Sequence, residues 1–189
     1  MNHIQFLNTW LNKKVDYDGV FAYQCVDVVK QYIDQVYDMK AWIFGPSATI
    51  WYESGSVFSS NPIAWKKIPR SNTNKPQQWD IIFRWPSKTN AYGHVAIVDS
   101  MINAVKVKVI EQNGVWGGNG EWNNVIRLKE YTLANTIGRY HYKNPLDDMN
   151  QAVVEIILHN NSKLYNATSD LDLKNLLSTT SSKIRELYK

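Results

Sequence analysis

The sequence predicts an α+β fold, in which helices near the amino terminus pack on an antiparallel sheet of about five strands. Two changes of pattern along the 189 residues predict this class. Apolar residues first recur at helical spacing, and beyond residue 78 they fall in short alternating runs that turn-forming residues separate. Beyond residue 146 the helical spacing returns, which predicts a short helical C-terminal tail.

The amino-terminal part of the chain contains two predicted helices and a long loop. Residues 2–12 form the first helix, because its apolar residues, such as Ile4 and Leu7, lie on one helical face. The segment QCVDVVKQYIDQVY forms the second helix, which places Cys25 in its first turn. Residues 41–78 are rich in Trp, Gly, Pro, Ser and Asn. This composition predicts an ordered loop that contains one short helix.

The sheet and the tail account for the rest of the sequence. The predicted strands lie within WDIIFRW, GHVAIVDS, AVKVKVIEQN, NNVIRLKEY and TIGRYHYKN. The tail contains two predicted helices, MNQAVVEIILHNN and SDLDLKNLLSTTSSKIRELYK, which a polar Asn/Ser link joins. We therefore predict a main domain over residues 1–146 and a helical extension or linker over residues 147–189.

Composition and charge exclude several classes of protein. With 44% hydrophobic and 20% charged residues, the chain has the composition of a globular protein. The net charge of +4 suits an anionic polymer such as a bacterial wall, but no Lys/Arg cluster is dense enough to predict nucleic-acid binding. No apolar run approaches the roughly 20 residues of a membrane-spanning helix, so no membrane insertion is expected. The first residues lack the pattern of a signal peptide, so we expect synthesis in the cytoplasm without one.

Three segments carry groups that can react together. Cys25, the only cysteine, begins a helix, and the amino-terminal end of a helix favours a thiolate. His94 opens a predicted strand and Glu111 closes the next one, with Asn113 just after it. A cysteine nucleophile needs a nearby base, and that base needs an acceptor on its other ring nitrogen. If SMINA forms a hairpin turn, His94 could lie between Cys25 and Glu111, although His141 could take its place.

Three blocks of sequence resemble the signature blocks of the CHAP family, the cysteine, histidine-dependent amidohydrolases and peptidases that cut peptidoglycan. The blocks are AYQCVDVVKQYI, YGHVAIV and VIEQN, in family order. The resemblance implies a papain-like fold in which Cys25 is the nucleophile and His94 is the general base. It also implies that Glu111 and Asn113 orient and polarise the imidazole. Gln24 and the backbone N–H of Cys25 would then form the oxyanion hole.

The aspartates around the cysteine follow the spacing of a calcium loop. Counting Asp16 as position 1, the residues at positions 3, 5, 7 and 12, from which an EF-hand binds calcium, are Asp18, Val20, Ala22 and Asp27. The loop is not an EF-hand proper, but it resembles the calcium loop of phage-type CHAP domains, which place Asp-x-Asp-Gly before Gln-Cys. The resemblance implies a structural Ca²⁺ bound by the three carboxylates and by two main-chain oxygens. The alternative is a turn and helix cap that binds no metal.

The resemblance implies a peptidoglycan hydrolase of the lysin type, either an endopeptidase or an N-acetylmuramoyl-L-alanine amidase. A phage-encoded endolysin or a virion-associated enzyme would act on the bacterial cell wall. Trp79-Asp80 and Ser47-Ala48 replace the Gly-Asp and Asn-Ala pairs common in the family, at positions that bear on substrate contacts. Aromatic residues between positions 41 and 65 would flank the substrate groove or pack in the core.

Two other classes of function remain open at this point. One is a non-catalytic module on a papain-like shell that binds the cell wall or a partner, and the other is an intracellular thiol enzyme. The reactive residues also have structural interpretations, as a buried thiol, a hydrogen-bonded histidine and a solvated glutamate. The C-terminal tail could bind another protein or lead to a further module.

Overall fold

The structure, a computed structural model, describes residues 1–20, 23–40, 47–55, 58, 64–88, 90–113, 125–143 and 145–187. The chain divides into two compact units, Met1–Tyr142 and Lys143–Lys189. Within the described residues, the first unit holds three helices and a six-stranded sheet, and the second holds two helices.

The helices of the first unit are α1 (His3–Trp10), α2 (Cys25–Tyr37) and α3 (Ala48–Ser54). Helix α1 begins at a capping box, in which the side chains of Asn2 and Gln5 each accept a hydrogen bond from the other's backbone N–H at 2.9 Å. The start of α2 agrees with the helix predicted from the spacing around Cys25. Helix α3 lies within residues 41–78, where one short helix was predicted.

The strands are β1 (Trp65–Pro69), β2 (Ile81–Arg84), β3 (His94–Asn103), β4 (Lys106–Glu111), β5 (Arg127–Thr132) and β6 (Thr136–Tyr142). They form one antiparallel sheet in the order β1-β6-β2-β3-β4-β5, which confirms the predicted α+β class. The sheet has six strands rather than about five, because β1 lies in the segment predicted as a loop. In WKKIP only Trp65 is buried and the two lysines are exposed, so the strand carries little apolar alternation.

Helix α2 packs against one face of the sheet and forms the larger core there. Its Val28, Tyr32 and Ile33 are fully buried, and each apolar side chain of this size contributes about 1.5–3 kcal/mol when removed from water. Trp51 and Trp65 belong to the same core, whereas Trp42 lies outside the described residues. A smaller apolar cluster occupies the opposite face, so the central strands are buried on both sides.

Strands β3 and β4 form the hairpin that the sequence predicted. The turn is at residues 104–105, and Asn103 Oδ1 accepts hydrogen bonds from the N–H groups of Val105 and Lys106 at 3.0 Å. Ile97 pairs with Ile110 across the hairpin. This register brings the first residue of β3 close to the last residue of β4.

The second unit consists of α4 (Pro145–Ala167) and α5 (Leu171–Leu187). The link predicted between the two helices, residues 162–168, lies almost wholly inside α4, and the chain turns after Ala167 instead. Asp170 caps α5, because its Oδ1 accepts from the N–H of Leu173 at 3.0 Å. Several large apolar side chains of this unit are exposed, namely Ile156, Ile157, Leu164, Leu171, Leu173 and Leu176. No helix in the described part of the chain is long and apolar enough to cross a membrane.

Candidate active site

Cys25 is the first residue of α2 and is partly buried beside the larger core. The residue before it, Gln24, is extended, with φ −98° and ψ 163°. The N–H of Gln24 donates a hydrogen bond to Asp27 Oδ2 at 2.7 Å, which fixes the entry into the helix. The backbone therefore holds the thiol at the positive end of a helix dipole.

His94 and Glu111 form a buried pair at the adjoining ends of β3 and β4. His94 Nε2 lies 2.8 Å from Glu111 Oε2, and the two residues are 4% and 0% exposed. The carboxylate can only accept, so Nε2 carries the proton of this hydrogen bond. His94 Nδ1 is also buried, and no nitrogen or oxygen of the described residues bonds to it. The Cys25 thiol also interacts with the His94 ring.

Two side chains beyond the histidine bond to this carboxylate, and a third packs on one of them. Glu111 Oε1 accepts two hydrogen bonds from Arg127, from Nε at 3.0 Å and Nη2 at 2.9 Å. The hydroxyl of Tyr131 donates to Oε2 of the same carboxylate. The guanidinium of Arg84 lies over the Tyr131 ring, 3.7 Å from its centroid. The carboxylate is therefore fixed from β5 while it holds His94.

The charges in the site shift both members of the pair. Burial alone would lower the pKa of His94, but interactions with Cys25 and Glu111 raise it to about 9. Burial alone would raise the pKa of Glu111, but hydrogen bonds from His94, Tyr131 and Arg127 lower it to about 2. At neutral pH these shifts favour an imidazolium at His94 and a carboxylate at Glu111.

The three aspartates of the predicted calcium loop lie together. Asp16, Asp18 and Asp27 each offer a carboxylate oxygen, and these oxygens lie within 4.8 Å of one another. Asp27 is 1% exposed, and its Oδ1 has no partner among the described residues. Burial, together with the charge of Asp18, raises the pKa of Asp27 to about 6. The Nζ of Lys30, a buried residue of α2, contacts Asp18 Oδ2.

This cluster fits a hard divalent cation. Oxygen ligands suit calcium, and a buried carboxylate oxygen without a partner is costly unless a cation or a donor reaches it. Val20 donates its N–H to Asp18 Oδ1 at 3.0 Å, within the same turn. Ala22, the remaining ligand predicted from the sequence, lies outside the described residues.

Residues 15–113 match the family described as the CHAP domain. The chain belongs to the CHAP domain family. The matched range contains the aspartate loop, Cys25, His94 and Glu111, and it ends at Asn113. It stops before β5, so Arg127 and Tyr131 lie outside it.

Known proteins similar to this CHAP domain include endolysins, one of them from a phage. Endolysin PlyTW of Staphylococcus phage Twort is 30% identical over 133 residues, which are 67% of this chain and 27% of that protein. The crystal structure of the wild-type endolysin LysIME-EF1 matches with a TM-score of 0.56 and 15% identity, over 73% of this chain and 61% of that one. The structure of Ly7917 with the hydrolyzing product of MDP matches with a TM-score of 0.51 and 18% identity, over 74% and 60%. The two structures share the fold, and the chain spans about a quarter of the endolysin's length.

Two other candidate residues, Asn113 and His141, lie near the end of β4 and on β6. Asn113 has a left-handed backbone, with φ 57°, and its buried Oδ1 has no partner among the described residues. Its predicted role beside His94 therefore stays a prediction. His141 lies on β6, where its Nδ1 is 2.6 Å from Oδ1 of the buried Asp80. Of the two histidines of the sheet, His94 is the one that contacts Glu111.

Sequence reasoning missed Arg127, Tyr131 and Lys30. Arg127 pairs with Glu111 in the register between β4 and β5, but that register cannot be read from either strand alone. Lys30 lies on the same helix as Cys25, where its position on the face toward the aspartate loop is the one available signal. The remaining contacts depend on tertiary packing.

Proposed function

We propose that this CHAP domain is a cysteine-dependent peptidoglycan hydrolase of the lysin type, which cleaves an amide bond of the bacterial cell wall. The observation that carries the proposal is the buried His94–Glu111 pair, whose imidazole interacts with Cys25. Family membership and similarity to a phage endolysin support the substrate class. We propose that the enzyme is made in the cytoplasm and acts on the wall as a phage-encoded lysin or a virion-associated enzyme.

The reaction starts with the thiolate of Cys25, which attacks the carbonyl carbon of the scissile amide. The C–S bond forms as the carbonyl electrons move to oxygen, and Gln24 and the backbone N–H of Cys25 stabilise that oxyanion. His94, protonated at Nδ1, gives this proton to the leaving amine, and the C–N bond breaks. The products of this half-reaction are a thioester on Cys25 and a free amine.

Water completes the turnover. The neutral imidazole of His94 takes a proton from water, and the resulting hydroxide adds to the thioester carbonyl. The C–S bond then breaks, and the thiolate and imidazolium form again. Glu111 keeps the ring oriented and stabilises its positive charge throughout, without taking a proton itself.

Mass spectrometry of digested peptidoglycan tests this function and separates its two forms. An endopeptidase creates a new amino terminus within the peptide stem or crossbridge and leaves the muramoyl–alanine bond intact. An N-acetylmuramoyl-L-alanine amidase frees the alanine amino group and the lactyl carboxylate of the sugar. Release of no fragment, with retention of wall binding, would favour the non-catalytic module instead. A Cys25→Ala digest is the matched control.

We further propose that the aspartate loop binds Ca²⁺ through the carboxylates of Asp16, Asp18 and Asp27 and the main-chain oxygens of Val20 and Ala22. The grouped oxygens and the unpartnered Asp27 Oδ1 support this ligand set. The ion would neutralise carboxylates at the start of α2 and so hold the loop that leads to Cys25. Its role is structural.

Calcium should stabilise the chelator-treated protein. At a concentration about 100 times the dissociation constant the ion adds about 2.7 kcal/mol, a rise of about 5–10 °C in Tm for a chain of this size. Differential scanning calorimetry in EDTA, and then with excess calcium, measures this shift. Asp27→Asn should abolish the response, whereas the exposed Asp38→Asn, which keeps the left-handed cap, should retain it. If the Tm of the wild-type protein were the same in EDTA and in excess calcium, the proposed calcium site would be ruled out.

We also propose that the C-terminal helical unit binds another protein or connects to a further module. Its large exposed apolar side chains support a binding role, with Leu171 71% and Leu176 63% exposed. Deletion of residues 147–189 should leave the catalytic unit folded, because its last strand ends at Tyr142, paired with Trp65. Near-UV circular dichroism and Tm check this, and an unfolded truncated chain would show that the tail belongs to the domain.

A further inference from the structure

Gln112 is a fully buried polar residue between Glu111 and Asn113. Its side-chain amide makes hydrogen bonds to two distant parts of the backbone. Oε1 accepts from the N–H of Val15 at 2.8 Å, and Nε2 donates to the carbonyl of Val15 at 2.6 Å. Nε2 also donates to the carbonyl of Gln24 at 3.0 Å. The same primary amide therefore holds both ends of the segment 15–24.

The two partners of this amide flank the parts of the site. Val15 directly precedes Asp16, the first residue of the aspartate loop, and Gln24 directly precedes Cys25. The Gln112 side-chain amide forms hydrogen bonds with both the N–H and the carbonyl of Val15, as the backbone of a neighbouring strand would. Two further backbone hydrogen bonds, Asn12 N–H to the Ile126 carbonyl and Ile126 N–H to the Lys13 carbonyl, hold the segment that enters the loop. The loop is thus closed at its base by contacts from the sheet.

Two neighbouring residues at the end of β4, Glu111 and Gln112, hold His94 and the backbone before Cys25 respectively. Glu111 fixes the ring of His94, and Gln112 fixes the carbonyl of Gln24, one residue before the nucleophile. The short stretch of backbone that joins Glu111 to Gln112 therefore links the support of the imidazole to the support of the backbone before Cys25, so a displacement of either side chain would change the distance between imidazole and thiol. A shift of about 1 Å in such a distance can reduce a rate about 100-fold.

We propose that Gln112 is a positioning residue that places the Cys25 thiol against His94, acting through the backbone at Val15 and Gln24. This role rests on the proposed function of Cys25 as the nucleophile. The three hydrogen bonds of the Gln112 side chain go to the backbone of Val15 and Gln24, so its action on the thiol and the imidazole is indirect. Its effect is to close the loop that leads into α2 and to tie that loop to the strand that carries Glu111.

The test measures the reactivity of Cys25 without any wall substrate. Gln112→Met keeps the length of the side chain and removes all three hydrogen bonds, and Gln112→Glu keeps only the acceptor for Val15. We expect the rate constant for alkylation by iodoacetamide at neutral pH to fall about 10- to 100-fold in both variants. Phe6→Leu, which trims a buried ring of α1, is the control for lost stability and should keep the wild-type rate.

Alkylation is measured at a temperature at which near-UV circular dichroism shows that each variant is folded. If Gln112→Met does not fold, Gln112→Glu is the variant that carries the test. A folded Gln112 variant with the wild-type alkylation rate would overturn the positioning role, whatever its activity on cell walls. A wild-type protein that is alkylated rapidly, and loses that reactivity on Gln112 substitution, but cuts no peptidoglycan, would contradict the proposed function and leave the positioning role intact.

Discussion

Cys25→Ala should lower the rate of peptidoglycan cleavage about 10⁴-fold or more, because residues of a nucleophile–base unit act together and the loss of one removes the covalent route. The side chain is partly buried at the start of α2, so its truncation should change folding stability little. Release of soluble peptides from purified walls, followed by mass spectrometry, measures the effect.

Cys25→Ser is the matched variant, because it keeps the size and replaces only sulfur by oxygen. A hydroxyl beside His94 is far less ionised than a thiol at neutral pH, so this variant should also be nearly inactive. Both variants should retain the wild-type Tm within a few degrees. Wall cleavage at the wild-type rate by folded Cys25→Ala would rule out the nucleophile assignment and with it the thiol mechanism.

Glu111→Gln should lower the rate about 10³-fold or more without a change of shape, because the amide favours the wrong tautomer of His94. Arg127 donates to Oε1, so the amide oxygen would remain there and the amide NH₂ would face His94. His94 Nε2 would then have to accept a hydrogen bond from this NH₂ group, so the neutral ring would carry its proton on Nδ1. Nδ1 could then no longer accept a proton as the general base. Glu130→Gln on the exposed part of β5 is the control and should have no effect.

Glu111→Gln should also change how the rate of peptidoglycan cleavage depends on pH. The reaction needs the imidazolium for its first half, so wild-type activity should fall as pH rises through about 9, the pKa of His94. Glu111 contributes to the rise of that pKa, so Glu111→Gln should shift the alkaline limb to lower pH. A variant with an unchanged limb and rate would show that the carboxylate does not act on the histidine.

Folding stability should depend on the same groups at both ends of the pH range. The pKa of His94 rises from 6.5 to about 9, so its stabilisation is complete below pH 6.5 and is lost as pH rises through 9. The pKa of Glu111 falls from 4.5 to about 2, so its stabilisation is complete above pH 4.5 and is lost as pH falls toward 2. Urea unfolding at a series of pH values would measure how the free energy of unfolding changes with pH at the acid and the alkaline end.

Local patterns predicted the parts of the fold that carry strong periodicity. Helix α2 and the hairpin of β3 and β4 follow from spacing, and the motifs around Cys25, His94 and Glu111 name the candidate reactive groups. Strand β1 was missed because WKKIP offers one buried side chain at its start and two exposed lysines. A partner strand, β6, supplies the pairing that its own sequence does not signal.

The supporting contacts of the site could not be predicted for a different reason. Gln112 and Val15 are 97 positions apart, and Glu111 and Tyr131 are 20 apart. Such contacts depend on register and on packing between elements, which no single segment specifies. Gln112 in particular occupies a motif block next to Glu111, and its sequence context gives no sign that its amide bonds to the loop before Cys25.

The contact between Lys30 and Asp18 also determines which cation would neutralise the aspartate loop. When all three aspartates are ionised, the ammonium of Lys30 leaves a net charge of two negative units in the cluster. A divalent ion cancels that charge, whereas sodium or potassium leaves an excess carboxylate in a partly buried place and a trivalent ion leaves an excess positive charge. In the proposed calcium site, Lys30 would thus act as a fixed counterion that leaves the loop with the charge a divalent ion cancels.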